Sequence, residues 1–223
     1  MTVRKNPKSR FDFYNSVDEV IDVSDLWEKG NEQLSTFRLK YFSFIFQNTN
    51  LLPNFTAGEN MIMPLLMRGG NSAAELEEEV LALMEKIDLP AEAYHRPVTQ
   101  LSGGQRQRLA FVRAFLSPFE ILFGDEPTGN LDRLTANKLM STLKEYLNGH
   151  NKTGIIVSHD IQLAADHADN ILYFSKRERK DGTLYGFIDQ SQILHRDSET
   201  GFWLDADGGN LPDINDHLES LLH

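Results

Sequence analysis

Cysteine is absent from the 223 residues, so neither disulfides nor thiolate metal sites are available, which fits the cytosol. Long apolar runs are absent too. The longest is Met61-Ile62-Met63-Pro64-Leu65-Leu66-Met67, far short of the ~18 residues needed to span a bilayer. No charged segment followed by an apolar core and a cleavage site opens the chain, so no secretory signal is read. Any membrane link is expected to come through a partner protein. Positive charge is scarce, with 22 Lys and Arg against 33 Asp and Glu and a net charge of -11. A surface that tracks nucleic acid needs clustered Lys and Arg, so no nucleic-acid partner is expected. The acid is uneven: in residues 186–223, Asp189, Asp197, Glu199, Asp205, Asp207, Asp213, Asp216 and Glu219 face Arg196 alone. Arg4, Lys5, Lys8 and Arg10 open the chain without an acid, as a solvated start does.

What is present is ordinary globular composition, 40% hydrophobic and 25% charged, enough for one large domain or a domain with a small insertion. Tyr41 to Phe46 is aromatic and β-rich, a buried strand ending at Gln47, with Val20 to Val23 a weaker strand upstream. Leu76, Val80, Leu83, Met84 and Ile87 fall on one helical face behind a Ser72–Glu75 capping box, and Pro90 marks the end. A second helix is predicted from Ser102 to about Leu116, again with a Ser-x-x-Gln start. Glu120 to Gly124 reads as a strand, Leu134 to Leu147 as a helix, and Gly154 to Val157 as a fully buried strand. Ile171–Phe174 and Thr183–Ile188 are expected to pair as a hairpin around Asp181-Gly182. Short apolar strands alternating with helices imply an α/β fold with a mostly parallel sheet and helices on its faces.

Two segments carry the chemistry. Leu101-Ser102-Gly103-Gly104-Gln105-Arg106-Gln107-Arg108 runs straight into a helix, so unpaired backbone N–H groups and the positive dipole end converge there. Gly103 and Gly104 let that backbone approach an anion with no Cβ in the way. Ser-Gly-Gly also begins ordinary helices; the Gln-Arg-Gln-Arg that follows sets this one apart. Ile121-Leu122-Phe123-Gly124-Asp125-Glu126-Pro127 is an apolar strand ending in two carboxylates. Asp125 at a strand's carboxyl end could hold Mg²⁺, directly or through water. Glu126 could accept a proton from an attacking water. Such pairs also occur as solvated turns, and it is the Ser102 segment that favours the catalytic reading. Asp205-Ala206-Asp207-Gly208-Gly209-Asn210 lacks the sixth-position glycine and spaced Glu of a calcium loop and reads as an acidic turn. Met61, Met63 and Met67 read as core.

Together the two segments resemble the ATPase subunit of ATP-binding-cassette (ABC) machines. The Ser102 segment is similar to the signature motif, which in the family contacts the γ-phosphate of ATP held by the opposite subunit, through Ser102, Gly103, Gly104 and Gln105. Asp125 and Glu126 match the Walker B motif, implying Mg²⁺ at Asp125 and a catalytic base at Glu126. Gly129-Asn130-Leu131-Asp132 resembles the D-loop, placing Asp132 between subunits. His159, ending the Ile155 strand, is placed like the family's switch histidine, and Gln47 like the Q-loop glutamine that senses Mg²⁺ and the attacking water. Asn50-Leu51-Leu52-Pro53-Asn54-Phe55-Thr56 and the D-loop look like the lipoprotein-release and macrolide-export branch.

The resemblance implies a P-loop NTPase-type fold over residues 1–185 with a helical subdomain at about 58–117, then an acidic extension at 186–223. It implies ATP and Mg²⁺ as cofactors. The implied partners are a second ATP-binding subunit, identical or different, and a transmembrane permease subunit, which places this chain in the cytoplasm, peripheral on the cytoplasmic face of the inner (plasma) membrane. It also implies a P-loop, Gly-x-x-x-x-Gly-Lys-Ser/Thr, whose N–H groups wrap phosphates while the Lys meets their charge. None is found: before Gly58 the only glycine is Gly30, and Lys8-Ser9 follows Asn6-Pro7. The expectation is a cassette whose amino-terminal core is incomplete. Its function would be that of an ABC transporter ATP-binding subunit, or of a non-hydrolysing module lending its signature loop to a complete partner. A soluble ABC-type factor acting on nucleic acid or ribosomes is the remaining alternative.

Overall fold

The computed structural model describes residues 12–14, 20–68, 72–179 and 181–222. It divides into two compact units, the boundary lying between Val157 and Ser158. In the first unit, β1 (Asp12–Tyr14), β2 (Val20–Asp22), α1 (Val23–Lys29) and α2 (Asn31–Tyr41) lead into β3 (Phe42–Ile45). Then come α3 (Ala57–Arg68), α4 (Ala73–Lys86), α5 (Gly103–Leu116), β4 (Ile121–Asp125), α6 (Arg133–Gly149) and β5 (Thr153–Val157). The predicted helix starts at Ser72 and Ser102 both form, each with a complete capping box. Helix α3 lies at the start of the stretch, about 58–117, that the resemblance implies is a helical subdomain, and Pro64 lies inside it, a residue that ordinarily argues against a helix interior.

The expected parallel sheet is present, in the order β3-β4-β5. Register aligns Phe44 with Phe123 and Phe123 with Ile155, so one side of the sheet carries a row of large apolar groups. The opposite row is buried: Ser43, Ile45 and Leu122 face α5, and the Ser43 hydroxyl donates to the Ala114 carbonyl at 3.1 Å. Helix α5 is itself the centre of the unit, with Leu109, Ala110, Phe111 and Val112 fully enclosed. The β1–β2 hairpin and α2 cover only one end of the other face, where Phe13, Val23, Phe37 and Tyr41 pack with Phe42 and Ile121.

Of the two strands expected to be buried, β3 is buried on one face only and β5 is largely exposed. Ile155 and Val157 are 46% and 60% exposed, and Phe44 and Phe46 lie open with stacked rings 5.7 Å apart. The apolar run does form a strand. However, β5 has a paired neighbour only in β4 among the described residues, and nothing described covers the far end of that face. Burial is a property of neighbours, not of the run itself.

The second unit holds α7 (Ile161–His167), β6 (Asn170–Leu172), β7 (Ser175–Glu178), β8 (Leu184–Phe187), β9 (Ile193–Arg196), β10 (Trp203–Leu204), β11 (Asn210–Leu211) and α8 (Ile214–Leu222). Here the hairpin expectation is corrected. The strand that pairs with β8 is β7, while β6, in the Ile171 run, joins β9 in an antiparallel sheet ordered β11-β10-β9-β6. The turn is near where it was expected, with Gly182 at φ +81 donating to the Arg179 carbonyl at 3.0 Å. What moved was the upstream partner. Leu194, Trp203 and Leu218 close a small core between that sheet and its helices, and the Asp205 carboxylate folds its own turn by accepting the N–H groups of Asp207 and Gly209.

Candidate functional site

The carboxyl ends of parallel strands are where α/β sheets place their reacting groups. Gln47 follows β3 by two residues and is exposed; Asp125 is the last residue of β4, also exposed, and Val157 is its partner on β5. Glu126 comes next, half-buried, its N–H donating to the Val157 carbonyl at 2.9 Å. Its φ of +47 is a left-handed conformation that a non-glycine residue seldom adopts, and such positions cluster at functional sites. The turn continues with Gly129 N–H donating to the Glu126 carbonyl at 3.2 Å and Leu131 N–H to that of Thr128 at 3.0 Å. Gly124 has a packing reason within the strand, since a Cβ there would lie 2.7 Å from the Ile156 side chain and 3.3 Å from Pro127. Thus Gln47, Asp125 and Glu126 share one edge of the first unit.

The Ser102 loop is built as the pattern predicted. The Ser102 hydroxyl accepts the Gln105 N–H at 3.1 Å and the Gln105 carboxamide accepts the Ser102 N–H at 2.9 Å. Gln105 is thereby engaged in capping its own helix. The first helical bond runs from Arg106 N–H to the Ser102 carbonyl at 3.0 Å, so the amides of Gly103 and Gly104 precede the ladder. A Cβ on Gly103 would meet nothing within 4 Å, whereas one on Gly104 would lie 3.2 Å from the Leu131 side chain. The signature-like loop therefore packs against the D-loop-like turn on one side and is open on the other.

Asp132 ends that turn and caps α6. Its carboxylate accepts the Thr135 N–H at 3.0 Å and the Thr135 hydroxyl at 2.7 Å, and these bonds hold its pKa below the ordinary value. The folded pKa lies below the unfolded one, so the cap's stabilisation is present above the unfolded value of roughly 3.9 and is lost as pH falls through the folded value. A carbon-detected titration of Asp132 should show its midpoint below that of an unstructured Asp, with the Thr135 amide shifting in step. Asp132→Asn should leave that Thr135 amide insensitive over the same range.

His159 lies in the second unit, exposed, beside Asp160, whose carboxylate caps α7 through the Leu163 N–H at 2.9 Å. Two residues that the sequence reading did not single out belong to the site's framework. Gln107 is fully buried and its amide donates to the Pro127 carbonyl, next to Glu126. Arg113 donates to the carbonyls of Thr49 at 2.6 Å and Asn50 at 3.0 Å, just beyond Gln47, and burial pushes its pKa down. A signal for Gln107 did exist: it sits at i, i+4 and i+7 with Phe111 and Ala114 on an otherwise apolar stripe.

The ABC transporter family model matches residues 18–129, from β2 through both carboxylates and the Ser102 loop. The chain belongs to the ABC transporter family. Relatives agree with that assignment. The lipoprotein-releasing system ATP-binding protein LolD of Legionella pneumophila (strain Lens) is 39% identical over 160 residues, covering 71% of this chain and 67% of LolD. The macrolide export ATP-binding/permease protein MacB of Burkholderia pseudomallei (strain 1710b) is 41% identical over 159 residues, 71% of this chain and 23% of MacB. The uncharacterized ABC transporter ATP-binding protein YbbA of Escherichia coli (strain K12) is 44% identical over 134 residues, 60% of this chain and 58% of YbbA. The names of LolD and MacB are consistent with the lipoprotein-release and macrolide-export branch. Among solved structures, the dimeric ATP-binding cassette MJ0796, in a post-hydrolysis state bound to ADP and Pi, superposes with a TM-score of 0.62 at 35% identity. That match covers 69% of this chain and 65% of that one. The chain thus spans less than a quarter of MacB and about two thirds or less of LolD, YbbA and MJ0796. No helix among the described residues is long and apolar enough to cross a membrane.

Proposed function

We propose that the chain is an ABC transporter ATP-binding subunit whose Ser102–Gly104 loop serves a nucleotide held by a second ATP-binding subunit. The observation that carries this reading is the open side of Gly103: a capped helix start offers two backbone donors with no side chain in the way. No Lys-bearing phosphate loop occurs in these 223 residues, so any assay of them needs a partner that supplies one. The donor set at the sheet edge fits a hard divalent cation: Asp125, with Gln47 beside it, offers the exposed oxygens that Mg²⁺ takes. When bound, Mg²⁺ neutralises phosphate charge; Asp125 and Gln47 would hold it. Glu126 would accept the proton of the attacking water. His159, by resemblance, would contact the γ-phosphate, and Asp132 would lie at the subunit interface. The name of MacB, an ATP-binding/permease protein, supports a permease partner, which would keep this chain peripheral on the cytoplasmic face of the inner membrane.

The test pairs this chain with a P-loop-complete cassette whose own signature loop has been disabled, so that neither forms a working site with itself. Alone, each should release no phosphate from ATP above background, since oriented donors and the Lys supply most of the stabilisation in phosphoryl transfer. Mixed, they should release it, and Ser102 to Ala with Gly103 to Arg should abolish the gain. Phosphate release by this chain alone, or none from the mixture, would overturn the reading.

A further inference from the structure

Helix α5 sends three side chains outward to grip backbone elsewhere in the first unit. Gln107 holds the Pro127 carbonyl, Arg108 the Asp88 carbonyl at 2.6 Å, and Arg113 those of Thr49 and Asn50. Each grip falls on or beside an unusual residue. Asn50, Asp88 and Glu126 have φ of +50, +56 and +47, and Asn151 is the only other described non-glycine residue with positive φ. Asn and Asp tolerate that region because their short side chains bond locally; Glu has no such excuse. A conformation of this kind persists when its surroundings over-determine it.

Gln107 is the more telling of the grips. Its Oε1 is buried and has no partner among the described protein groups, so the side chain carries an acceptor without a protein donor into the interior. An apolar residue of the same shape would pack there without that penalty. What the Gln adds is one amide donor, aimed at the residue after Glu126. Arg113 answers a different geometry, because two successive carbonyls match the planar fork of a guanidinium and not the single point of an ammonium.

We propose that Gln107 and Arg113 are positioning residues, which fix the loops carrying Glu126 and Gln47 to the helix that begins at the Ser102 loop. One rigid element then sets all three parts of the site, and a displacement of the Ser102 end is carried to both loops. This rests on the site reading above, though the contacts do not depend on it.

Amide hydrogen exchange on the full chain tests the assignment without nucleotide. In Gln107→Met, the amides of Gly129 and Leu131 should exchange about 10-fold or more faster, because the loop opens locally, while Leu89 and Val112 keep wild-type rates. Gln107→Glu supplies the discriminating pH profile. A buried carboxyl is held neutral by desolvation and can donate to Pro127 near pH 5, so loop protection relative to wild type at the same pH should be restored there and lost as the group ionises. Arg113→Met should likewise speed Leu52 and Phe55, and Arg113→Lys should recover part of that loss. Unchanged loop exchange, identical behaviour of Met and Glu at every pH, or acceleration that extends to Leu89 and Val112 would each overturn the proposal. Loops that loosen as expected alongside a mixture that releases no phosphate would instead overturn only the functional reading.

Discussion

Glu126→Gln is expected to lower ATP turnover by about 10²-fold or more, the scale of a positioned general base, in a chain extended at its amino end by a P-loop-bearing segment of a relative. Nucleotide binding should persist. Gln is nearly the same shape, so the turn that Glu126 builds through its own N–H to Val157 and carbonyl to Gly129 survives the change. What disappears is the ability to take a proton from water. Binding is read by titration with a fluorescent nucleotide and turnover by steady-state phosphate release. A variant that binds and turns over nearly normally would move the base elsewhere, with His159 the next residue to replace.

Gly103→Arg should block ATP-dependent association with a P-loop-complete subunit while leaving this chain's own melting transition in place. The intrinsic part of that expectation follows from space, because a Cβ at Gly103 would meet nothing within 4 Å in the chain itself. Its φ is not positive, and Arg is a good helix former. The clash exists only when a second subunit brings phosphates to the Gly103 and Gly104 amides. Light scattering of the mixture with non-hydrolysable ATP reads the association, and nucleotide binding by the isolated partner should be untouched. Intact association would reduce the Ser102 segment to a helix cap.

The parts of this molecule legible in the sequence are those that depend on local chemistry. Both capping boxes, at Ser72 and Ser102, formed as their spacing required, and the three parallel strands arose where β-rich apolar runs were found. Asp125 and Gln47 came out at strand ends because strand ends are where polarity breaks an apolar run. What escaped the sequence depends on neighbours. Ile155 and Val157 look like core residues by type, yet they line an open face because β5 has only one described partner. The Ile171 run chose β9 over the nearby β8, a choice between two chemically similar partners. The partners of Gln107 and Arg113 were hidden for a related reason, since the carbonyls they hold lie 20 and more than 60 residues away along the chain.

The account turns on whether the Ser102 loop meets phosphate bound to another subunit, and vanadate photocleavage measures that contact directly. Vanadate trapped with ADP in place of the transferred phosphoryl group cuts nearby backbone on irradiation. In the mixture with a P-loop-complete cassette, this chain should be cut at Ser102–Gly103, and it should stay whole when irradiated alone. Cleavage confined to the partner's own residues, with this chain intact in every mixture, would contradict the account.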